Sequence, residues 1–255
     1  MHPGLHYFRG TNSHGQQTMI RNAKETMHLS PCQTAAGGPV VAADDLLSAI
    51  RSAAGRILKN SRGSHDWEHT LRVHALCRRI GPVEGADMQV LEAAAYLHDI
   101  GRADQDASRG ALCHAALGAE KARGILDALP LDKPRRDNIV HCVRTHRFRD
   151  DHTPATLEAR VLFDADKLDA IGAVGVARAY LFAGELGACL HNPNLPPEAC
   201  RSYSRDDTGY REFAVKLSKI KDRMITAEGR RLAEERHAFM AAFFERFLEE
   251  YAGRK

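Results

Sequence analysis

Apolar positions recur at intervals of three and four along most of this chain, and alternation of period two is nearly absent. Leu46, Leu47, Ile50, Ala54, Ile57 and Leu58 fall on one face of a first helix, opened by Asp44 and Asp45. A turn follows at 61–64, with Ser64 as the expected N-cap of a second helix over 66–80 that stops at Gly81-Pro82. A third helix covers 86–97 and closes in His98-Asp99-Ile100-Gly101, with Gly101 as its C-terminal stop. Further helices are predicted over 112–129, 134–146 (opened by Pro134) and 158–182, the last with a break near Gly172. A Pro- and Asn-rich loop over 191–209 then leads to helices at 210–221 and 227–251. The pattern predicts an all-α protein with no internal repeat: a single helical bundle over 43–255. Residues 1–42 lack apolar periodicity and read as a flexible N-terminal extension, or as residues upstream of the true start.

Composition removes several function classes. The 255 residues include 36 Lys+Arg against 33 Asp+Glu, a net charge of +3, so bulk charge gives no reason to expect specific nucleic-acid binding. Six cysteines contain no CxxC pair, which argues against a zinc ribbon or a disulfide frame. The best apolar run, 170–190, is interrupted by Arg178 and Glu185, and the N-terminus has no apolar leader. The expectation is a soluble, cytoplasmic protein with no membrane partner; homo-oligomerisation is compatible with the sequence. No Walker-type glycine loop is present, which excludes a P-loop NTPase.

Histidine stands out: there are 14, of which four lie in the extension. On the predicted helices, His69 shares the inward stripe of Arg72, Val73, Leu76 and Ile80, and His65 lies one turn earlier. His98 ends the stripe of Leu91, Ala94 and Ala95, with Asp99 beside it, and His146 ends that of Ile139, Cys142 and Val143. His114 starts the helix whose stripe runs through Leu117, Gly118, Lys121 and Ile125. His74, His141 and His237 are expected to face water. One inward histidine on each of four helices can be a set of hydrogen-bonded core residues or a metal site. The run Asp164-Ala165-Asp166-Lys167-Leu168-Asp169 supplies carboxylates in an otherwise apolar segment. Imidazole and carboxylate together, without thiolate, suit Mn, Fe, Mg or Zn in a hydrolytic role.

The order His69, then His98-Asp99, then Asp166 resembles the H…HD…D signature of the HD-domain superfamily of metal-dependent phosphohydrolases. The surrounding words agree: SHDWEHTLRV at 64–73, AYLHDIG at 95–101, HAALGA at 114–119, the stripe 139–146, and DADKLDAIGAVG at 164–175. The last of these, with the C-terminal helix pair, is similar to the small bacterial branch called YedJ-like. The resemblance spans about 44–251 and implies that His69, His98, Asp99 and Asp166 hold one divalent ion. It also implies that His114 and His146 either hold a second ion shared through Asp99 or support the first and the substrate phosphate.

Such a protein is expected to cleave a phosphate ester or anhydride of a small phosphorylated substrate, with a nucleotide as the favoured partner. Mn is the favoured cofactor, with Mg, Fe, Co, Ni or Zn as alternatives and one or two ions per chain. Asp99, Arg72 and Lys167 are the candidate catalytic residues, the two cations as holders of phosphate oxygens; Arg178 is a weaker candidate. Asp66 and Glu68 are candidates for a general base or a supporting role, and Asp164 and Asp169 for orienting ligands or capping. Two other readings use the same residues: a di-iron oxygenase, and a metal-stabilised binding module without catalysis.

Overall fold

A computed structural model describes residues 43–59, 66–108, 111–147 and 153–255. The expected extension at 1–42, the Ser64 cap and His65 lie outside the described residues. Ten α-helices occur among those described: α1 (Ala43–Leu58), α2 (Trp67–Glu84), α3 (Met88–Leu97), α4 (Arg102–Ala107), α5 (His114–Asp127), α6 (Lys133–Thr145), α7 (Leu157–Leu168), α8 (Gly172–Glu185), α9 (Gly209–Val215) and α10 (Ala227–Tyr251). No strand is present among the described residues, so the all-α expectation holds.

The organising element is α3. Val90, Leu91, Ala93, Ala94, Ala95, Tyr96 and Leu97 are all buried, and the helix packs against α1, α2, α6 and α7. With seven of its ten residues buried, the helix leaves little surface to solvent and must be surrounded. Its alanines let four neighbours approach closely, and its last residues are delivered into the interior. The first helix buries Leu46, Ile50, Ala54 and Leu58 against it, as their spacing requires. Leu91, Leu97, Ile100, Ile139, Leu162 and Leu168 are fully buried, each contributing about 1.5–3 kcal/mol of apolar transfer.

Several boundaries differ from expectation. The second helix runs through Gly81-Pro82 to Glu84 and ends at Gly85, whose φ of 82° and N–H to the Gly81 carbonyl (2.9 Å) form a left-handed cap. Pro82 forfeits one hydrogen bond in the last turn, which the cap behind it offsets. The N-cap of α2 is Asp66, whose carboxylate accepts the His69 N–H at 2.9 Å. Gly101 does not stop α3 by a left-handed turn, since its φ is −93°. It is glycine because a Cβ there would collide with the His114 carbonyl and the Gly118 nitrogen, where α5 crosses. Residues 102–107 form the short α4, which has no buried residue and hence no apolar period to betray it. The expected break near Gly172 is present, and Gly172 has φ 80° between α7 and α8. The predicted helix at 210–221 ends at Val215 and continues as two 3₁₀ turns, Leu217–Lys219 and Lys221–Arg223.

Candidate metal centre

Three helix C-termini converge on one buried point. His98 caps α3, His146 caps α6, and Asp166 lies in the last turn of α7. The last turn of a helix carries partial negative charge, which favours a cation, while the first turns of α2 and α5 at the same point act the other way. His69, in the first turn of α2, and His114, at the start of α5, complete the ring. His69, His98, His114 and His146 are exposed by 1%, 0%, 0% and 1% respectively, so all four expected inward histidines are in the interior.

The ligand atoms fall into two groups, His69–His98–Asp166 and Asp99–His114–His146. In the first, His69 Nε2 lies 3.2 Å from His98 Nε2 and 3.4 Å from Asp166 Oδ1. In the second, His114 Nε2 lies 3.1 Å from His146 Nε2 and 3.3 Å from Asp99 Oδ1. Donor atoms about 2.1 Å from a common ion sit about 3.0–3.4 Å apart, so these pairs are spaced as ligands of one divalent metal would be. Asp99 stands between them. Its Oδ2 faces His69 (3.8 Å) and His98 (3.9 Å), and its Oδ1 faces His114 (3.3 Å) and His146 (3.5 Å).

The remaining ring nitrogens fix the orientation of these imidazoles. His98 Nδ1 donates to the Ala95 carbonyl (2.8 Å) and His146 Nδ1 to the Val143 carbonyl (2.6 Å). His69 Nδ1 meets Asp169 Oδ2 at 2.7 Å, and His114 Nδ1 meets Gln105 Oε1 at 2.7 Å. Every Nδ1 faces an oxygen acceptor, which leaves every Nε2 to present a lone pair inward. Buried lone pairs facing one another and two carboxylates need a cation or protons between them.

At His69 a proton takes that role in the metal-free protein. Burial opposes a charge on His69, but its interactions with Asp166 and Asp169 prevail and raise the imidazole to about 9. Burial, helped by His69 and His146 alongside, pushes His98 down to about 4. Burial and the neighbouring His146 push His114 down to about 2. Despite burial, Lys167 and His69 hold the Asp166 carboxylate well below its usual range. Asp169, also buried, is lowered to about 2 by His69 and Arg72.

The candidate cations are engaged with site carboxylates. Arg72 grips Asp169 with two bonds (2.7 and 3.1 Å), and Arg178 reaches the same carboxylate at 2.9 Å. Arg178 is therefore part of the site rather than a solvated helix-face cation. Lys167 Nζ lies 2.6 Å from Asp166 Oδ2. Asp164 accepts from the Ile225 and Thr226 backbones and the Thr226 hydroxyl, anchoring the start of α10, and Asp66 is the α2 cap already described. His74, expected to face water, is half-buried, bonded to Glu92 (2.7 Å) and stacked on Tyr96. His141 and His237 are half-buried as well, His141 accepting the Ala155 N–H at 3.0 Å. Gln105, Arg102 and Arg147 carried no signal in the sequence, yet Arg102 lies 3.3 Å from Asp99 Oδ1 and Arg147 donates to Gln105 at 3.0 Å.

An all-α bundle with two buried His/Asp groups fits a metal-dependent hydrolase of the HD class, and similarity to known proteins agrees. The HD domain family matches residues 66–171. The YpgQ protein of Bacillus subtilis is 34% identical over 209 residues, covering 80% of this chain and 93% of that protein. A crystal structure of B. subtilis YpgQ in complex with ADP aligns with a TM-score of 0.63 at 32% identity, over 82% of this chain and 95% of that one. The structure of an HD-superfamily hydrolase from Bacillus thuringiensis aligns with a TM-score of 0.66 at 27% identity, over 83% and 99% of the two chains. This chain belongs to the HD-domain superfamily and is one of its hydrolases. Among the described residues no helix is long and apolar enough to cross a membrane.

Proposed function

We propose that this hydrolase releases phosphate or pyrophosphate from a small phosphorylated substrate, a nucleotide, using two divalent ions, with Mn favoured over Mg, Fe, Co, Ni or Zn. The observation that carries the reading is the placement of Asp99, whose two oxygens face two separate imidazole pairs. His69, His98, Asp166 and Asp99 would hold one ion; His114, His146 and Asp99 the other. Bound there, divalent ions supply an activated water and neutralise charge developing on a phosphoryl oxygen.

The chain's own groups do the rest. Asp99 and Asp166 offset ion charge inside an apolar shell where unpaired charge would be costly. Asp169 orients His69 and shares its second oxygen with Arg72. Arg72 and Lys167, 35% and 20% exposed at their side chains, are the groups that reach from the site towards solvent and can hold phosphate oxygens. On the other side Arg102 stands beside Asp99. The ADP in the YpgQ complex supports the choice of a nucleotide.

The test is a panel of nucleoside mono-, di- and triphosphates with Mn, Mg, Co or Ni, with His98→Ala as control. Metal-dependent release of phosphate or pyrophosphate, abolished by chelation and by the substitution, is expected. Activity indifferent to both would remove the metal assignment, and no turnover of any nucleotide with any metal would remove the substrate class.

A further inference from the structure

The four inward imidazoles are not held in the same way. His98 and His146 give their Nδ1 protons to backbone carbonyls three residues earlier, an arrangement no side-chain substitution can remove. His69 is held by a carboxylate, Asp169. His114 alone is held by a neutral side chain, Gln105, which comes from the short α4.

The identity of the Gln105 atom facing His114 is fixed by its other neighbours. Oxygen and nitrogen of a glutamine amide are normally interchangeable in assignment. Here the same atom also meets the backbone N–H of His114 (3.4 Å) and Nη1 of Arg147 (3.0 Å). Both are obligate donors, so the atom must be the carbonyl oxygen. An oxygen that only accepts requires a proton on His114 Nδ1, and so leaves Nε2 bare towards Asp99 Oδ1 and His146 Nε2. Arg147 Nη1 lies 3.3 Å from His114 Nδ1 and would donate to it if that proton were absent. The opposite tautomer, with Nε2–H pointing at the ion position, therefore has a donor ready to stabilise it, and Gln105 is the group that opposes it.

We propose that Gln105 is the positioning residue of the second half-site: its carbonyl oxygen keeps His114 in the tautomer that can bind a divalent cation and occupies Arg147. The proposal rests on the two-ion reading above. It follows that one ligand imidazole of the half-site of His114 and His146 is held from α4, whereas neither imidazole of the half-site of His69 and His98 is. Groups that orient a ligand imidazole typically change metal affinity by about 10–100-fold when removed.

The experiment has two parts. Imidazole ¹⁵N–¹H correlation spectra of the metal-free full chain, with His114→Ala used to assign the signal, read the tautomer directly. Calorimetric titration with Mn²⁺ of wild type, Gln105→Leu and Gln105→Glu reads the number and affinity of bound ions. His114 is expected to carry its proton on Nδ1 in the wild type and to lose that preference in Gln105→Leu. That variant should bind one ion as the wild type does and the other about 10–100-fold more weakly. Gln105→Glu, which keeps an acceptor oxygen in place, should restore the second ion to at least wild-type affinity. A wild-type His114 protonated on Nε2 overturns the proposal even if Gln105→Leu fails to fold. Two ions bound by Gln105→Leu with unchanged affinities overturn it while leaving the two-ion reading intact. A wild-type protein that binds no Mn²⁺ overturns both.

Discussion

The two halves of the candidate metal centre present the same ligand chemistry with different support. Around His69 and His98, support is charged and layered: Asp169 backs the imidazole, Arg72 and Arg178 back Asp169, and Lys167 pairs with Asp166. Around His114 and His146 no carboxylate stands behind an imidazole: a neutral amide backs one and a backbone carbonyl the other, while Arg147 meets that amide and Arg102 meets Asp99, the carboxylate of the group. The difference teaches where affinity comes from. A carboxylate behind an imidazole makes its far nitrogen a better base and ligand, and an amide does so less. The first half should therefore hold its ion more tightly, and the second should fill and empty with the metal supply.

Asp99 faces both halves, so its loss should be the most damaging. Asp99→Ala is expected to abolish binding of both ions and to lower turnover by more than the roughly 10²–10³-fold that loss of a single electrostatic stabiliser costs. A variant that kept one tight ion would show that the halves are independent and would break the comparison. Asp169→Ala should act on the first half. It removes a buried carboxylate shared by three partners, so about 3–5 kcal/mol of stability is at stake in chemical denaturation. The remaining folded protein should bind its tighter ion about 10–100-fold less well. If the weaker ion were the one affected, the assignment of the halves would be reversed.

Proton competition separates the halves more gently. The His69 imidazole has a folded value of about 9 against an ordinary 6.5. The stabilisation it gives the metal-free fold is fully present below pH 6.5 and is lost as the pH rises through 9. The same proton must leave before a cation can bind. Affinity of the first half should therefore rise about tenfold per pH unit up to about 9, with one proton released per ion. His114, already neutral, imposes no such competition on the second half. Titrations in buffers of different ionisation enthalpy measure the released proton directly, and no difference between the two ions would contradict the contrast. Smallest of all, Gly172→Ala should cost about 1–2 kcal/mol, because φ 80° is strained for any residue with a Cβ. That loss should appear as a lower melting temperature with both ions still bound.

Much of the site was legible in the sequence because its residues end apolar stripes. His98 follows Leu91, Ala94 and Ala95, and His146 follows Ile139, Cys142 and Val143, so burial of the stripe fixes where the last residue goes. Asp166 could be paired with them through its place in an apolar segment and through the family resemblance. The supporting groups were harder. Gln105 lies on a six-residue helix with nothing buried, Arg147 follows the end of α6, and neither carries a periodic signal. Arg72 was correctly put on the stripe of His69, but sequence spacing could not show that Asp169, 97 positions away, would be its partner. Gly101 was misread for a similar reason, since a close crossing by α5 is a long-range fact and a left-handed cap a local one.

The proposed site turns on one aspartate that joins two cation positions. Anomalous diffraction from crystals of the intact chain equilibrated with Mn²⁺ tests it most directly. Two anomalous peaks per chain are expected with Asp99 between them, one beside His69, His98 and Asp166 and one beside His114 and His146. A single peak, or peaks away from Asp99, would contradict it.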